Sequence, residues 1–459
     1  MIYENGLFIF RRDYRIKDNI GLKRINAVCK NVYTIFIFTP EQVTTENSYK
    51  SNNAVQFMIE SLEDLETQIE SVGGRLHCFY GDNIQILTGL INKFNIDVLG
   101  FNYDYTPYAL KRDKSITELC KKIGIPFLLS HDYYLTQPLT LLNHSGKPYQ
   151  KFTPYFNAVA DTEMQNPISM KKLHFSNKHM NSSKLITLKD ALQRFTKVNE
   201  QIAVRGGREK ALKQLLRAAK TQKFYKTSRN DLATTTSQLS AYIKFGCVSI
   251  REVYRMLQTN HDLSRQLIWR DFYAQVLYAF PHVLGHTLNP SYDAIVWGKN
   301  KRYLDAWKNG RTGFPVVDAG MRELNTTGYM HNRARLIVAS FLVKTLLIDW
   351  REGEKYFATQ LTDYDVASNN GNWQWIMGGG ADSQPYFRIF NPWSQSEEHD
   401  PETVYIKKWV PELSEVPSKD IHNWYKMYTD YESVDYPAPI VDYTEQKKKV
   451  LVMYKKYLT

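Results

Sequence analysis

Cysteine is scarce in this chain of 459 residues, and the few cysteines that occur form no CxxC pair. The four are Cys29, Cys78, Cys120 and Cys247, far apart and without histidines at metal-ligand spacing. Such a distribution disfavours a disulfide framework and a structural zinc site. We therefore expect four reduced thiols in an intracellular protein.

Long apolar runs are also missing. No stretch of 18 residues is continuously apolar, so we expect neither a membrane span nor a secretory signal. No GxGxxG motif follows the strand-like segment 6–10, which gives no sign of a dinucleotide site at that point. The expected protein is soluble and intracellular, in the cytoplasm or, in a eukaryotic cell, in the nucleus.

What the chain does have is an excess of positive charge. Fifty-nine Lys and Arg residues stand against 47 Asp and Glu residues, which gives a formal net charge of +12. A field of this sign attracts a polyanion such as DNA and speeds its capture. Simple solubility, or a proteome that is basic throughout, would produce the same charge, so this feature supports a DNA partner without establishing one.

The chain divides into three parts. Residues 1–130 alternate apolar runs with helical stretches and predict an α/β domain with a Rossmann-like parallel sheet. Residues 131–200 are rich in Pro, Asn, Ser, Thr and Lys and are interpreted as a connector, whereas residues 201–459 predict a mainly α-helical domain. The predicted strands are 7–10, 32–38, 76–80, 98–103 and 126–129, and the clearest predicted helices are 209–219, 237–245, 249–258 and 264–278.

One predicted helix carries residues suited to nucleic acid. Gln266, Trp269, Arg270 and Tyr273 are spaced by three and four residues and so share a helix face. Side by side, an aromatic ring and a cation can stack an extruded base and neutralise a phosphate. The alternative is a half-buried helix with a snorkelling arginine.

Two further polar segments permit more than one function. The hydroxyls of residues 234–240 precede a predicted helix, where they can serve as N-caps or help to bind a phosphate. Asp363 and Asp365 bracket one residue and can face the same way, but no histidine or third acid accompanies them at the spacing that a metal needs. We therefore expect no metal at this pair.

Five short segments follow one another in the second half of the chain: GRTGFP (310–315), GYMHNR (328–333), DWREG (349–353), DYDVASNNGNWQW (363–375) and PYFRIFNP (385–392). Their order resembles the flavin-binding half of the DNA photolyase and cryptochrome family, closest to the class I-type cyclobutane pyrimidine dimer photolyases. The resemblance implies reduced FAD as the cofactor and DNA containing pyrimidine dimers as the partner. It also implies a monomer that repairs these dimers in blue light.

The resemblance assigns residues to the cofactor. It implies hydroxyls that grip the FAD phosphates, a tyrosine lying on the cofactor, and an Arg–Asp pair beside the isoalloxazine ring. Asn369 matches the position facing flavin N5, where cryptochromes of plants carry Asp and those of animals Cys, so Asn369 favours repair over signalling. The implied FAD-binding residues are Tyr225, Thr236, Ser237, Gln238, Leu239, Ser240, Arg270, Arg335, Asp363, Asp365 and Asn369.

The resemblance also assigns residues to the DNA and to electron transfer. Trp373, Trp350 and Trp297 match a chain of tryptophans that runs from the flavin to the surface, and these three join Asn369 and Gln266 as the expected catalytic residues. Trp375 matches the second aromatic wall of the lesion pocket. The implied DNA-binding residues are Arg229, Gln266, Trp269, Arg270, Tyr273, Asn332, Arg333, Trp375, Arg388 and Gln395.

Two positions depart from the pattern. Microbial dimer photolyases carry Glu where this chain has Gln266, and Met where it has Leu336. Photolyases of the (6-4) class do have Gln at the first position, but they depend on two histidines that would fall at Asn332 and Leu336. An acid for (6-4) repair is therefore missing, and we expect the cyclobutane dimer to be the substrate. An altered lesion preference such as the (6-4) photoproduct, or a cryptochrome-type photoreceptor, is the alternative.

A second, antenna chromophore is possible. The segment 103–108 lacks the Asn-Glu pair that folate-binding members show, which disfavours folate. A deazaflavin, a second flavin or no antenna at all remain open.

Overall fold

The computed structural model describes residues 2–170 and 172–458. The first part of the molecule is a five-stranded parallel sheet in the order β3-β2-β1-β4-β5. Each predicted strand overlaps an observed one, and the predicted α/β class is confirmed. The strands are β1 (Tyr3–Ile9), β2 (Cys29–Phe38), β3 (Leu76–Tyr80), β4 (Val98–Asn102) and β5 (Phe127–Ser130), and the helices between them are α1 (Ile20–Val28), α2 (Pro40–Val43), α3 (Asn52–Glu70), α4 (Asn83–Phe94) and α5 (Pro107–Ile123).

The central strands are apolar on both faces because helices cover both sides of the sheet. In β1, Leu7 lies opposite Tyr33 of β2 and Leu99 of β4, and all three side chains are buried. The neighbouring residue Phe8 points to the other face and is buried there among the side chains of a second apolar cluster. Two packed layers therefore flank the sheet.

Residues 131–200, interpreted as a connector, contain two helical segments that the sequence analysis did not predict. They form the helices α6 (Phe152–Ala160) and α7 (Leu188–Phe195). Both are only eight or nine residues long, too short for a helical period to stand out in a polar segment. Isolated bridges from Phe175 to Val32 and from Leu185 to Phe79 also attach this part of the chain to the sheet.

The remainder of the described chain is helical, as predicted. The predicted helix 237–245 was wrong at its start: Gln238 has a left-handed φ of 50°, which ends any helix there, so the helix begins at Ser240. A π-helical turn covers Phe341–Thr345, and 3-10 turns cover Pro281–Val283, Pro290–Ala294, Pro411–Leu413 and Tyr428–Asp430. The α-helices are α8 (Arg208–Thr221), α9 (Tyr225–Ser228), α10 (Ser240–Lys244), α11 (Ile250–Leu257), α12 (His261–Ala279), α13 (Lys301–Lys308), α14 (Pro315–Thr327), α15 (Asn332–Ser340), α16 (Trp350–Gln360), α17 (Val366–Met377), α18 (Pro392–His399), α19 (Val404–Trp409), α20 (Ser418–His422), α21 (Trp424–Met427) and α22 (Tyr443–Leu458).

The four cysteines are free thiols, all of them buried. Burial raises the pKa of Cys29, Cys120 and Cys247 to about 11, so these thiols keep their protons and are poor nucleophiles at neutral pH. Within residues 2–170 and 172–458, no helix has both the length and the apolar character that a bilayer crossing requires.

A cluster of buried charges joins the sheet to the helices, and we call it the junction cluster: Arg15, Asp18, Asp132 and Arg251. Arg251 of α11 donates from Nε to Asp18 Oδ1 at 3.0 Å and from Nη2 to Asp132 Oδ1 at 2.7 Å. Arg15 donates to the other oxygen of Asp132. Burial alone would raise the pKa of Asp132, but Arg15 and Arg251 hold it below its ordinary value. The carboxylate is therefore ionised and shared between two arginines.

Replacing Arg251 with methionine should lower the unfolding free energy by about 3–5 kcal/mol, because two buried carboxylates lose a cation that they share. Urea denaturation followed by circular dichroism measures the change. The matched control is Arg311→Met, which removes an exposed pair with Asp435 and should cost at most about 1 kcal/mol. Similar losses in the two variants would contradict the importance of the junction cluster.

Candidate functional site

The helical part of the molecule contains a cavity of about 460 Å³, which we call the central cavity. Its size lies in the range of cofactor and ligand pockets. Residues of α10, α12, α15, α16 and α17 form its walls. The predicted site residues that line it are Ser237, Leu239, Ser240, Gln266, Trp269, Arg270, Tyr273, Asn332, Arg335, Asp363, Asp365, Asn369, Trp373 and Trp375.

An Arg–Asp pair forms one polar edge of the central cavity. Arg335 of α15 binds Asp363 through both terminal nitrogens, at 3.0 and 3.3 Å. The hydroxyl of Ser240, at the start of α10, donates to the same carboxylate at 2.6 Å. Burial would lower the pKa of Arg335, but Asp363 raises it above its ordinary value. The guanidinium therefore stays charged and oriented beside the cavity.

Asp365 carries a second fixed charge. Its Oδ2 accepts from Arg12 at 2.9 Å, and its Oδ1 accepts the Ser368 N–H at 3.0 Å, so it also caps α17. Burial would raise its pKa, yet Arg12 and Arg270 lower it to about 2. Sequence analysis missed Arg12; the available signal was a pair of arginines directly after the apolar strand β1, at the carboxyl edge of the sheet.

Asn369 is oriented by a residue that sequence analysis also missed. Its Nδ2 donates to both the backbone oxygen and Oε1 of Glu354, at 3.0 and 2.9 Å. With both N–H groups used, the amide oxygen is the atom left for the cavity. Glu354 is a buried acid in α16, directly after the DWREG segment, and that position was its signal.

Aromatic rings form another wall of the central cavity. The indole of Trp269 stacks on Phe152 of α6 with ring centres 3.6 Å apart and planes at 4°. Arg270 donates to the Tyr133 carbonyl at 2.7 Å, which fixes its guanidinium near the cavity. Tyr273 is only 4% exposed, and its ring lies against Gly371, where a Cβ would approach within 2.2 Å. A long helix face is thus held by residues of the connector and of α17.

The two positions that depart from the family pattern both face the central cavity. Gln266 lines the cavity, and its Nε2 donates to the Asp262 carbonyl at 3.1 Å. Asn332 and Leu336 line the same cavity on α15. An amide and an alkyl group stand there, and neither can release a proton at physiological pH.

The three tryptophans predicted as a relay have different surroundings. Trp373 is buried against Gly353, where a Cβ would lie 2.1 Å from its ring, and its ring neighbours are Phe357 at 5.0 Å and Trp307 at 6.3 Å. Trp350 is buried, whereas Trp297 is half-buried. The relay stays a prediction, and Trp307 is an aromatic neighbour of Trp373 that sequence analysis did not single out.

Four predicted residues of the segment 225–238 do not line the central cavity: Tyr225, Arg229, Thr236 and Gln238. Tyr225 is half-buried, and its backbone carbonyl accepts the Arg229 N–H at 3.0 Å. Thr236 Oγ1 lies 2.5 Å from the hydroxyl of Tyr329. Gln238 occupies the left-handed turn before α10.

Three predicted DNA-binding residues lie near α15 and α18. Arg333 donates to Asn230 Oδ1 at 2.7 Å and is 3.4 Å from Gln395 Oε1. The buried Lys344 donates to the carbonyl of Arg388 at 2.9 Å and so anchors the segment 385–392. Burial lowers the pKa of Arg333 most, and the nearby positive charge of Arg388 lowers it further.

A second cavity, of about 600 Å³, lies between the sheet and the helices, and we call it the junction cavity. Cations and aromatic rings from both parts of the molecule line it. They include Arg11, Arg12, Lys50, Tyr108, Lys244 and Trp350.

Asp271 ties the connector to the helix that carries Gln266 and Trp269. Its Oδ2 accepts the Thr136 N–H at 2.8 Å and lies 3.2 Å from the Thr136 hydroxyl, whereas its Oδ1 is buried without a hydrogen-bond partner. Burial raises the pKa of Asp271 to about 7. Below about pH 7 the folded protein therefore favours the protonated acid.

Known proteins resemble this chain along nearly its whole length. A family model described as DNA photolyase matches residues 7–172, and one described as the FAD binding domain of DNA photolyase matches residues 263–456. The deoxyribodipyrimidine photo-lyase of Alkalihalophilus pseudofirmus is 36% identical over 97% of both chains. The chain belongs to the DNA photolyase family.

Solved structures agree with this assignment. The archaeal photolyase of Sulfolobus tokodaii, described as containing two FAD molecules, has a TM-score of 0.89 and 41% identity, over 98% of this chain and all of that one. The cryptochrome of Synechocystis has the same TM-score of 0.89 at 26% identity, over 98% of this chain and 99% of that one. The fold is thus shared by proteins described as a photolyase and as a cryptochrome.

The raised pKa of Asp271 predicts a pH effect on stability. Since the folded-state pKa lies above the ordinary value, its contribution is present at acidic pH and is lost as the pH rises towards about 7. Between pH 5 and pH 8 the parent should lose roughly 2 kcal/mol of unfolding free energy relative to Asp271→Asn. Denaturant unfolding at both pH values measures this difference. The control is Asp161→Asn, at an exposed acid of the connector, which should follow the parent; a parallel decline in Asp271→Asn would refute the assignment.

Proposed function

We propose that this protein is a light-driven lyase that repairs cyclobutane pyrimidine dimers in DNA by electron transfer from photoexcited reduced FAD. The observation that carries the proposal is the central cavity. There the Arg335–Asp363 pair, the Asn369 amide and the rings of Trp269 and Trp375 line one space. Membership of the DNA photolyase family supports the same conclusion.

The donor set of the central cavity fits FAD. The hydroxyl of Ser237 suits a phosphate oxygen, and the charged Arg335 and the amide oxygen of Asn369 suit the polar edge of an isoalloxazine ring. When bound, FAD would supply the electron-transfer chemistry of dimer cleavage. The residues of the chain bind the cofactor, orient it and exclude water from it.

The lesion would enter beside the aromatic wall. Trp269 and Trp375 offer faces on which an everted pyrimidine pair can stack, and unstacking costs least at a damaged site. Arg229, Arg333 and Arg388 would contact phosphates and set affinity and its salt dependence, but not lesion identity. Asn332 and Leu336 supply no acid for (6-4) repair, so the geometry supports the cyclobutane dimer as substrate.

Further parts of the proposal concern organisation. We propose that residues 1–130 form an antenna-type domain, 131–200 an interdomain connector, and 201–459 the FAD- and DNA-binding domain. The junction cavity would hold a second chromophore between Arg12, Lys50 and Lys244, and the two FAD molecules described for the Sulfolobus tokodaii photolyase support this role. The protein would act as a monomer.

Illumination of the purified, reduced protein with an oligonucleotide that contains one cyclobutane thymine dimer tests the proposed activity. We expect the absorbance of restored thymines to rise only with both light and protein. An oligonucleotide with a (6-4) photoproduct is the matched control and should stay unrepaired. If the dimer persists although the flavin photoreduces, repair is ruled out and a cryptochrome-type photoreceptor is favoured.

Trp373→Phe should abolish most photoreduction of oxidised flavin, because phenylalanine is far harder to oxidise than the indole that it replaces. Repair by flavin that is already reduced should persist. Transient absorption of the flavin measures the first effect, and the oligonucleotide assay measures the second. Trp409→Phe, at a half-buried tryptophan of α19, serves as the control. Normal photoreduction in Trp373→Phe would show that the electron takes another route.

A further inference from the structure

The surface formed by the end of α8 and by α9 carries cations at a regular spacing. From Arg217 to Arg229 every third residue is Lys or Arg, and this stretch contains no acid. We call its first four cations the basic ridge: Arg217, Lys220, Lys223 and Lys226. All four residues are exposed. In the part of the chain that the structure describes, none of them forms an ion pair, whereas Lys213, one turn earlier, is paired with Glu209 at 2.5 Å.

Hydrogen bonds of a buried residue fix the basic ridge beside the central cavity. Gln222 lies between α8 and α9 and is only 5% exposed. Its Nε2 donates to the Thr235 carbonyl at 3.0 Å, and its own carbonyl accepts from Asn260 Nδ2 at 2.6 Å. Asn260 also caps α12, the helix that carries Gln266 and Trp269. The basic ridge is therefore attached to the start of the helix that forms the aromatic wall of the cavity.

The basic ridge also continues the surface that we propose for DNA. Arg229 ends α9, and its neighbour Asn230 accepts from Arg333 Nη2 at 2.7 Å. Arg229 and Arg333 are proposed phosphate contacts. The ridge extends the surface of these two cations along α9 and α8, so a DNA strand that reaches Arg229 can continue over the ridge.

The chemistry of the basic ridge fits a phosphate backbone. Lys and Arg side chains without acidic partners bind phosphates and release counterions, whatever the base sequence. Phe224 adds an aromatic ring that is 76% exposed among these cations, a combination that suits nucleic acid better than an acidic protein. Nine helical residues advance by about 13 Å, which is roughly the length of four base pairs. The ridge can therefore follow a short flank of duplex.

We propose that the basic ridge is a further DNA-binding surface, which contacts the phosphates of undamaged duplex on one side of the lesion. The inference rests on the proposed function, because a dimer held in the central cavity fixes where the flanking duplex runs. Only one flank passes the start of α12, so the contact is asymmetric. The ridge contributes affinity and not chemistry.

The test measures binding of the FAD-loaded, full-length protein to a duplex that contains one thymine dimer, by fluorescence anisotropy at several salt concentrations. The ridge variant replaces all four cations with glutamine: Arg217→Gln, Lys220→Gln, Lys223→Gln and Lys226→Gln. Each lost phosphate contact should lower the slope of log K against log salt by about 0.9, so we expect a total fall of about 3 and at least roughly tenfold weaker binding at low salt. Repair at saturating DNA should keep the parent's rate.

The matched control removes the same number of charges from α5, a helix of the α/β part without proposed DNA contacts. Its substitutions, all at exposed residues, are Lys111→Gln, Lys114→Gln, Lys121→Gln and Lys122→Gln. This variant should keep nearly the parent's salt dependence. Lys220→Gln combined with Lys223→Gln is a milder ridge variant, with an expected fall in slope of about 1.8, and keeps the test decisive if the fourfold variant folds poorly.

Duplexes that are shortened to about four base pairs on one or the other side of the dimer test the asymmetry. The parent should lose affinity for one of the two, and the ridge variant should lose no further affinity for that same duplex. Equal dependence on both flanks in the parent would overturn the inference.

Equal salt slopes for the ridge variant and the α5 variant would also overturn the inference, as would a ridge variant that loses binding to RNA but binds dimer-containing DNA like the parent. A parent that neither prefers dimer-containing DNA nor repairs it would overturn the proposed function together with this inference. A parent that repairs dimers, with an unchanged salt slope in the ridge variant, would overturn the inference alone.

Discussion

The buried charges of the junction cluster set the geometry on which the remainder of the molecule depends. Asp132 is shared between Arg15 and Arg251, and Arg251 also binds Asp18. A displacement of the helices from the sheet would leave these charges buried and unpaired, at a cost of several kcal/mol. The two parts of the molecule therefore meet in one arrangement. That arrangement brings Arg12, at the end of β1, to Asp365 of the central cavity.

The central cavity separates two tasks on different walls. Fixed charges and amides lie on one side, where Arg335 and Asp363 neutralise each other and Asn369 is held by Glu354. Aromatic rings lie on another side, where Trp269 is supported from behind by Phe152. Preorganised polar groups suit the positioning of a cofactor, whereas ring faces suit an everted base. One cavity can thus hold an electron donor and present it to damaged DNA.

Much of the fold followed from local patterns. The runs of residues 76–80 and 98–103 became β3 and β4 because a strand buried on both faces must be apolar throughout. The sequence analysis did not predict the connector helices α6 and α7. Helices this short depend on tertiary contacts, such as those of Phe152 with Trp269, more than on their own sequence. In the candidate site, Asp363 and Asn369 were singled out in advance, whereas Arg12 and Glu354 were not.

The sequence by itself determined the family, the alternation that makes a parallel sheet, the helix face of Gln266 to Tyr273, and the chemical character of the 363–375 segment. Only the tertiary structure decided which groups share a hydrogen bond. Arg12 and Asp365 are 353 positions apart, and no local period or spacing links them. Their pairing follows from the docking of two parts of the chain, in which a buried charge must meet its opposite wherever that lies in the sequence.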